Sequence, residues 1–443
     1  MMTSFVELLF WICVVLIFYT YCAYPVAIAI AARLCPRPVG LTGPRPTSVS
    51  IVLALHNEEK AVAPRLEQLT GILAASGAVG EIVVISDGST DSTADRAREF
   101  ASQGVRVLEL PTNLGKAAAL TRACSFARNE ILVFADARQK WCPKALDSLL
   151  ENFADPEVGG VSGDLVLQES NGLLAGLGLY WNYERWLRCN ESLVGSAVGV
   201  TGAICAVRRK LFRPIPPGTI LDDVYWPLQV VLQGYRIVRD PRALAYDKLP
   251  KRASDEYHRK VRTLAGNYQL LFNIPCALLP WRNPIWIQFI SHKILRLLVP
   301  WAMVIALASS ALLPGKLYQA AFLGQLALYL LGFVGLISRA AARLRGVSAA
   351  ASFLILHAAA AAAAWVCVSG RSSRSWKKVQ HAGVDGDAGR SAAGIPWIEP
   401  PPRGQPVLKD SHERSRTGEM RFPGSKPGTS PGNPLSDEVF PAR

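Results

Sequence analysis

Polar side chains gather directly after four apolar runs in the first third of the chain. The four groups are His56-Asn57-Glu58-Glu59, Asp87-Gly88-Ser89-Thr90-Asp91, Asn113-Leu114-Gly115-Lys116 and Asp136. Carboxylates and amides of this kind can accept hydrogen bonds from a nucleobase or a ribose, and they can hold a divalent metal against a diphosphate. Each group taken alone also suits an ordinary turn or helix cap. A shared site therefore requires that the fold bring the four groups together.

Strand and helix patterns alternate around these groups. Buried-strand patterns cover Ser48–His56, Glu81–Ser86, Val105–Leu110 and Glu130–Ala135, and helical patterns cover Ala61–Ala75, residues 92–102 and Lys116–Ala127. This order predicts an α/β domain with a mainly parallel, doubly wound, Rossmann-like sheet. Ligands bind beyond the carboxyl ends of the strands in such sheets, so the four groups are expected at one edge. The sequence has neither GxGxxG nor GxxxxGK[ST], which excludes the dinucleotide fingerprint and the P-loop.

The composition indicates that part of the chain lies in lipid. Half of the 443 residues are hydrophobic and only 19% are charged, whereas a soluble protein carries about 25% charged residues. The net charge is +14, but many of the basic residues flank apolar segments or follow Gly370. That distribution favours a membrane protein over a nucleic-acid binder, and no nucleic-acid partner is expected. Nine cysteines without a CxxC pair indicate reduced thiols rather than a disulfide scaffold.

Four apolar stretches bracket the α/β block. Phe5 to about Ala32 is long enough to span a bilayer and predicts an anchor helix. Three basic residues follow it at 33, 37 and 45, and the positive-inside rule then places the next domain in the cytoplasm. Later candidates are Leu297–Leu313, Leu317–Ile337 and Ala349–Val368. Ile285–Arg296 is predicted to be an interfacial helix, with the alternative that it extends the membrane helix.

The charges that flank the last apolar stretch leave the side of the C-terminal tail open. Arg339, Arg343 and Arg345 mark an inside loop, which would put the tail outside, whereas Arg371, Arg374, Lys377 and Lys378 favour inside. From about Ala382 the chain is rich in Pro, Gly, Ser and charge, which predicts disorder.

Seven motifs in order carry a resemblance to a known family. They are LALHNEE, ISDGSTDST, NLGKAAAL, VFADAR, TGAICAVRR, ILDDV and RKVRTLAGNYQ, and they run from about Ser48 to Gln269. At these residues the chain resembles the family 2 glycosyltransferases, which have the GT-A fold. It looks most like the membrane-bound branch that contains polysaccharide synthases.

The resemblance implies roles for the polar groups. Asn57, Glu58 and Asp87 would surround the nucleoside of the donor, with Asp87 at the base. Lys116 stands where the family places a lysine near the donor, and its alternative is a solvent-facing residue at a helix start. Asp136 matches the first aspartate of the family's D-x-D, which contacts the donor and the metal. The resemblance therefore implies Mg²⁺ or Mn²⁺. Asp91, in the loop of Asp87, and Arg138 are grouped with the donor site.

Asp222-Asp223 match the family's Glu-Asp pair, in which the second residue is the general base. A sugar hydroxyl is a poor nucleophile, and a carboxylate within hydrogen-bond reach can take its proton as it attacks. Attack opposite the leaving diphosphate inverts the anomeric centre. Asp223 is thus the candidate base, and Asp222 is grouped with the acceptor and diphosphate. The alternative for the pair is N-capping of a helix over Val224–Gln233.

Two positions depart from the family pattern. Arg138 replaces the second aspartate of D-x-D, and it could bind phosphate itself and reduce the need for metal. The family's Gln-x-x-Arg-Trp motif appears as residues 259–263, with only its arginine, Arg262, kept. Arg259 and Arg262 would grip the diphosphate, or they are solvated helix charges. Because that motif serves processive synthases, processive polymerisation is in doubt. Tyr180–Glu191 is aromatic enough to stack on sugars, but its spacing favours an ordinary amphipathic helix.

The expected protein is an inverting, membrane-bound glycosyltransferase that uses a nucleoside-diphosphate sugar, with a UDP-sugar favoured. Its parts are a transmembrane anchor at 1–34, a cytoplasmic GT-A domain at 48–275, an interfacial helix and about three transmembrane helices at 284–370, and a basic disordered tail at 371–443. The acceptor would be a glycan or a lipid-linked sugar at the inner leaflet of the cell membrane, and partner subunits of a polysaccharide assembly system would fit this setting. The alternatives are a single-sugar transferase onto polyprenyl phosphate and a catalytically silent subunit that binds nucleotide sugar.

Overall fold

A mixed eight-stranded sheet forms the centre of the soluble part. The computed structural model describes residues 2–168, 174–248, 253–338 and 340–369. The strands are β1 (Ser48–Leu55), β2 (Val79–Asp87), β3 (Val105–Leu110), β4 (Ile131–Ala135), β5 (Lys140–Trp141), β6 (Val158–Gln168), β7 (Ile204–Arg208) and β8 (Arg236–Lys248). Their order across the sheet is β3-β2-β1-β4-β7-β6-β8-β5.

The first four strands are parallel, as the sequence predicts. β1 pairs with β2 and β4, and β2 pairs with β3, all in parallel register. β4 is buried along its whole length and β1 along most of it, which is the pattern of a parallel sheet covered on both faces. β7 then runs antiparallel to β4 and β6. β6 is parallel to β8, and the short β5 is antiparallel to it.

Helices cover both faces of this sheet. The helices are α1 (Met2–Phe18), α2 (Tyr24–Leu34), α3 (Glu59–Ala75), α4 (Thr93–Arg98), α5 (Lys116–Phe126), α6 (Ala145–Glu151), α7 (Leu174–Val194), α8 (Asp222–Leu232), α9 (Ala253–Asn273), α10 (Trp286–Phe289), α11 (Leu295–Leu312), α12 (Lys316–Ile337) and α13 (Arg345–Val368). One core lies between the sheet and α3, α4 and α6, and a second lies between the sheet and α5 and α8. Alternate residues of β1 feed the two cores: Ile51 and Leu53 the first, Val52 the second.

Four helical runs among the described residues are long and apolar enough to cross a membrane. They are Thr3–Leu34, Trp286–Leu312, Lys316–Ile337 and Arg345–Val368. Each exceeds the roughly 20 residues that a bilayer requires. The first run passes from α1 through a π-helical turn, Tyr19–Ala23, into α2. The four apolar stretches predicted from the sequence therefore correspond to four helical runs.

The segment expected to be an interfacial helix is not separated from the following helix. α10, a π-helical turn at Ile290–Ile294 and α11 follow one another without a break. Residues 285–296 thus continue directly into the second candidate span, which is the arrangement weighed as the alternative. Two predictions, the charge mark at Arg339 and the disordered tail at 371–443, lie outside the described residues.

Candidate active site

The loop after β1 is fixed to the loop after β2. Asn57 has a left-handed backbone with φ of 52°, which is uncommon for a residue other than glycine. This conformation turns the chain so that Asn57 Oδ1 accepts a hydrogen bond from the Thr90 amide at 2.8 Å. The Asn57 amide in turn donates to Ser89 Oγ at 3.1 Å, and the Asp87 carbonyl accepts a bond from His56 Nδ1 at 2.7 Å. Two of the predicted polar groups are therefore joined.

Asp87 joins the third group to them. Its side chain is buried, and its two carboxylate oxygens accept backbone hydrogen bonds from Leu114 at 2.7 Å and from Gly115 at 2.9 Å. A buried carboxylate with such donors is well satisfied. These bonds fix the start of α5 and thus the position of Lys116. Both carboxylate oxygens of Asp87 thus bind this loop, and the role of Asp87 at the nucleobase stays a prediction.

Asp91 organises the same edge from within its own loop. Its carboxylate accepts hydrogen bonds from the Glu59 amide at 3.2 Å, from the Thr93 amide at 3.1 Å and from Thr93 Oγ1 at 2.5 Å. Burial would raise the pKa of Asp91, but the bonds from Thr93 and Glu59 hold it below its ordinary value. The Glu58 amide donates to the same Thr93 hydroxyl at 2.8 Å. Asp91 thus holds the loops after β1 and β2 together.

A charged cluster lies where these loops meet α8. Lys116 Nζ lies 3.0 Å from Asp136 Oδ1 and 3.7 Å from Asp222 Oδ2. The Lys116 side chain is 27% exposed and that of Asp222 is 14% exposed, so the cluster is open on one side. Burial would lower the pKa of Lys116, but Asp136 and Asp222 raise it above its ordinary value. Lys116 therefore remains a cation between two carboxylates, and its solvent-facing alternative is not what the structure shows.

Asp223 stands beside this cluster at the start of α8. Its backbone carbonyl accepts a hydrogen bond from the Val200 amide at 2.9 Å. A Cβ added at Gly202 would lie 3.5 Å from Asp223 Cβ and 3.9 Å from Lys116 Nζ, so this glycine keeps space open between the two. The cap residue of α8 is Leu221, and both aspartates lie in the first turn. The pair is therefore not the N-cap, although its charge suits the helix N-terminus.

The surroundings of Asp223 suit a proton acceptor. Burial and the charge of Asp222 raise its pKa to about 6, while Lys116, Lys293 and Arg188 act in the opposite direction. Such a carboxylate is still mostly ionised at neutral pH, and it is a stronger base than an ordinary aspartate.

The arginines of α9 reach the same side of the site. Burial and the charges of Arg259 and Arg138 lower the pKa of Arg262, while Asp222 and Asp223 oppose that shift. Arg262 therefore lies within the field of the aspartate pair. Arg259 sits over the ring of Trp181, with 5.3 Å from guanidinium carbon to ring centroid.

Arg138 is exposed beyond the end of β4. Arg138 stands two residues after Asp136, at the position of the second aspartate of D-x-D. Asp136 is therefore the carboxylate of that motif that could hold a metal. Within the described residues, no group of three or more His, Cys, Asp and Glu side chains is arranged to bind an ion. Mg²⁺ commonly takes one or two carboxylates together with substrate phosphates and water. The residues present therefore fit an ion that binds together with a diphosphate.

Sequence reasoning missed several residues of this region. Arg65, on α3, is buried and donates from Nε to the Asp136 carbonyl at 3.0 Å, with its guanidinium 4.9 Å from the Trp141 ring centroid. Gly202 lies within the TGAICAVRR motif, but the motif does not indicate that this glycine lies between Lys116 and Asp223. The charges of Arg188, on α7, and Lys293, in a candidate membrane span, both act to lower the pKa of Asp223. No sequence spacing relates those two residues to Asp223.

Comparisons with known proteins agree with this fold. Residues 50–215 match the model of glycosyl transferase family 2. Poly-beta-1,6-N-acetyl-D-glucosamine synthase of Staphylococcus epidermidis is 25% identical over 230 residues, which cover 50% of this chain and 55% of that protein. The enzyme of the same name from Staphylococcus aureus strain COL is 24% identical over 231 residues, with the same coverage. The chain thus spans about half the length of the curated relatives it matches.

A solved structure supports the fold independently. The mannosyltransferase PcManGT from Pyrobaculum calidifontis, in complex with GDP-Man and Mn²⁺, superposes with a TM-score of 0.60 at 23% identity. The match covers 81% of this chain and 99% of that one. The fold is therefore of the GT-A type. The match of residues 50–215 to the family 2 model supports the resemblance predicted from the motifs, and the fold class predicted from them is confirmed.

Proposed function

We propose that this protein is an inverting glycosyltransferase that moves a sugar from a nucleoside-diphosphate sugar to a hydroxyl group of a membrane-associated acceptor. The observation that carries the proposal is the position of Asp223. It stands beside the Lys116–Asp136–Asp222 cluster, at the sheet edge where the loops after β1, β2 and β3 converge. A base and a diphosphate-binding edge side by side are what such a transfer requires.

In the proposed step, Asp223 accepts the proton of the acceptor hydroxyl as its oxygen attacks the anomeric carbon. The new bond joins that carbon to the acceptor oxygen. The bond from the anomeric carbon to the donor diphosphate breaks, and its electron pair leaves with the nucleoside diphosphate. Attack from the face opposite the leaving group inverts the anomeric centre. A pKa near 6 leaves Asp223 ionised before the step and able to hold a proton during it.

Negative charge grows on the leaving diphosphate, and cations beside it favour that change. Lys116 lies 3.7 Å from Asp222, and the charge of Arg262 interacts with both aspartates, so these two cations are the candidates to supply such charge. Asp136 would hold Mg²⁺ or Mn²⁺, which would neutralise diphosphate charge when bound. The Mn²⁺ in the PcManGT complex supports that assignment. The roles of Asn57, Glu58, Asp87 and Asp91 around the nucleoside belong to the same proposal.

The acceptor and setting follow from the relatives and from the apolar helices. Relatives that make a poly-N-acetylglucosamine polymer favour a UDP-sugar donor, a glycan or lipid-linked acceptor and a role in cell-surface polysaccharide synthesis. Four candidate spans favour a multi-pass protein of the cell membrane, and the basic residues after the first span favour a cytoplasmic catalytic domain. Partner subunits of an assembly system would fit this setting.

The decisive experiment is a transfer assay on the purified protein in lipid nanodiscs. A panel of radiolabelled nucleotide sugars is supplied with a lipid extract as acceptor, and the products are sized. Label in a lipid or glycan product supports the proposal. A ladder indicates polymerisation, and one added sugar indicates the single-sugar alternative, which the degraded Gln-x-x-Arg-Trp motif favours. Nucleotide binding without transfer from any donor would contradict the proposal and favour the silent subunit.

A further inference from the structure

The turn that carries Asp136 is held at both ends by two side chains of α3. Arg65 donates from Nε to the Asp136 carbonyl at 3.0 Å, directly after the end of β4. Gln68, three residues later on the same helix face, bonds both backbone groups of Trp141 in β5. Its Nε2 donates to the Trp141 carbonyl and its Oε1 accepts the Trp141 amide, each at 3.2 Å. Arg65 Nη1 also donates to Gln68 Oε1, so residues 136–141 are fixed to one helix.

Trp141 extends this support to a second loop of the site. Its ring is fully buried, and the ring centroid lies 4.9 Å from the guanidinium carbon of Arg65, which is a cation–π arrangement. Trp141 Nε1 donates to the Ala203 carbonyl at 3.0 Å. Ala203 directly follows Gly202, the glycine that keeps space open beside Asp223. Arg65 and Trp141 thus lie behind two of the chain segments that surround the candidate site.

The fold keeps a charged side chain at position 65 at a cost in stability. Arg65 is only 4% exposed, and it bonds a carbonyl and an amide oxygen rather than a carboxylate. Its Nη2 atom has no hydrogen-bond partner among the described residues. Burial lowers the pKa of Arg65 to about 9 against the charge of Asp136, so it is still a cation at neutral pH. A buried charge in such surroundings is less stable than an apolar side chain of similar size, so stability alone does not explain this arginine.

We propose that Arg65 is a positioning residue for metal-assisted binding of the donor diphosphate. It holds the backbone of Asp136 and thereby directs the carboxylate of that residue to the sheet edge where a divalent cation and a diphosphate would meet it. This inference rests on the proposed function, because it takes Asp136 as the protein ligand of that ion. Lys116 contacts the carboxylate itself at 3.0 Å, whereas Arg65 contacts the carbonyl behind it, so the two cations have different roles. Residues that orient a metal ligand from behind contribute about 10–100-fold to metal affinity.

Binding of Mn²⁺ and nucleotide, measured without sugar transfer, tests this role. The native protein in lipid nanodiscs is first titrated with UDP, GDP, CDP and dTDP, and the nucleotide that it binds most tightly is used for every variant. Nucleotide affinity is measured with and without Mn²⁺, and bound Mn²⁺ is followed from the loss of the electron paramagnetic resonance signal of the free ion. The test variant is Arg65→Met, which keeps an unbranched apolar stem and removes the charge. The unfolding temperature of each protein is recorded in the same nanodiscs.

Arg236→Met is the matched control. Arg236 is also buried, and it also donates to backbone carbonyl groups, from Nε to Gly195 at 2.8 Å and from Nη2 to Arg37. It begins β8 beside Val158, at the edge of the sheet opposite the one that carries Asp136. This control should bind nucleotide like the native protein, both with and without Mn²⁺.

Arg65→Met is expected to lose about tenfold or more of the gain in nucleotide affinity that Mn²⁺ provides, whereas its affinity without Mn²⁺ should be unchanged. Its unfolding temperature should be no lower than that of the native protein, because a buried charge has been removed. A gain as large as the native one would overturn the proposal. A lower unfolding temperature, with equal losses of affinity with and without Mn²⁺, would show an ordinary structural residue and would overturn it as well.

Two results on the native protein separate this inference from the proposed function. Nucleotide affinity that does not change with Mn²⁺ would overturn the inference, while the transfer of labelled sugar would still test the proposed reaction. Binding of none of the four nucleotides would contradict the proposed function and the inference together.

A second variant keeps a cation at this position in case the methionine disturbs the fold. Arg65→Lys retains the charge and a donor, but it lacks the planar fork that reaches Asp136 and Gln68 together. The gain from Mn²⁺ should therefore be reduced in Arg65→Lys, with the unfolding temperature and the affinity without Mn²⁺ intact. A native gain in this variant would overturn the proposal.

Discussion

The two sides of the candidate site are built by different interactions. On the donor side, the loops after β1, β2 and β3 are joined by hydrogen bonds between side chains and backbone amides, with Asn57, Asp87 and Asp91 as the acceptors. On the acceptor side, Asp223 stands among charges from α5, α7 and the run Trp286–Leu312. The interactions on the donor side fix the shape of the three loops, and the charges on the acceptor side set the proton affinity of Asp223. We expect substitutions on the donor side to affect binding and those around Asp223 to affect the chemical step.

Removal of divalent metal should have the largest effect. If Asp136 holds an ion against the donor diphosphate, transfer should disappear in EDTA and return with Mg²⁺ or Mn²⁺, because leaving-group charge would otherwise be unneutralised. The measurement is label transfer in nanodiscs with and without chelator. Full activity in excess chelator would contradict this prediction and make Arg138 the better candidate for that charge.

Replacement of the proposed base should have the next largest effect. Asp223→Asn should reduce transfer by about 10² to 10⁴-fold, the usual contribution of a general base. Donor binding should persist, because the asparagine keeps the size of the side chain and the donor loops are untouched. Asp95→Asn, which changes a carboxylate 79% exposed on α4, is the matched control. Near-normal transfer by Asp223→Asn would remove it from the mechanism.

Asp87→Asn tests the donor side of the site and should weaken donor binding. Each Asp87 oxygen accepts a backbone amide, and the new NH₂ group cannot accept from the amide it faces. One partly buried amide then loses its hydrogen bond to a charged group, and such a bond is worth about 1.5–3 kcal/mol. We expect donor binding to weaken about tenfold through displacement of the loop. A titration with the donor measures this, and unchanged affinity would show that the loop does not depend on Asp87.

The smallest expected effect is a shift in pH dependence. Only the ionised form of Asp223 can accept a proton, so transfer should fall as pH falls through about 6. Burial and the negative charge of Asp222 both raise the pKa of Asp223. Asp222→Asn removes the second cause and should move the acid limb to lower pH. A shift to higher pH in the pH–rate profile would contradict this electrostatic account.

The sequence predicts the donor side of the molecule better than the acceptor side. Each donor loop directly follows a strand whose pattern is local, and parallel strands end at one edge, so Asn57, Asp87 and Lys116 could be placed together without coordinates. Arg188 and Lys293 could not be related to Asp223 in this way, because the effect of their charges on it depends on how α7 packs against the run Trp286–Leu312. The antiparallel direction of β7 could not be predicted either, because the spacing of apolar residues does not depend on strand direction.

Single-turnover kinetics on Asp223→Asn and Asp87→Asn, side by side with the native protein, test the central claim most directly. Donor affinity and the rate of transfer at saturating donor are obtained from the same experiment. The account predicts that Asp223→Asn binds donor normally and transfers slowly, whereas Asp87→Asn binds donor weakly and transfers at nearly the native rate once saturated. The opposite pattern, or equal losses of rate in both variants, would contradict the division between a donor side that binds and an aspartate that performs the chemistry.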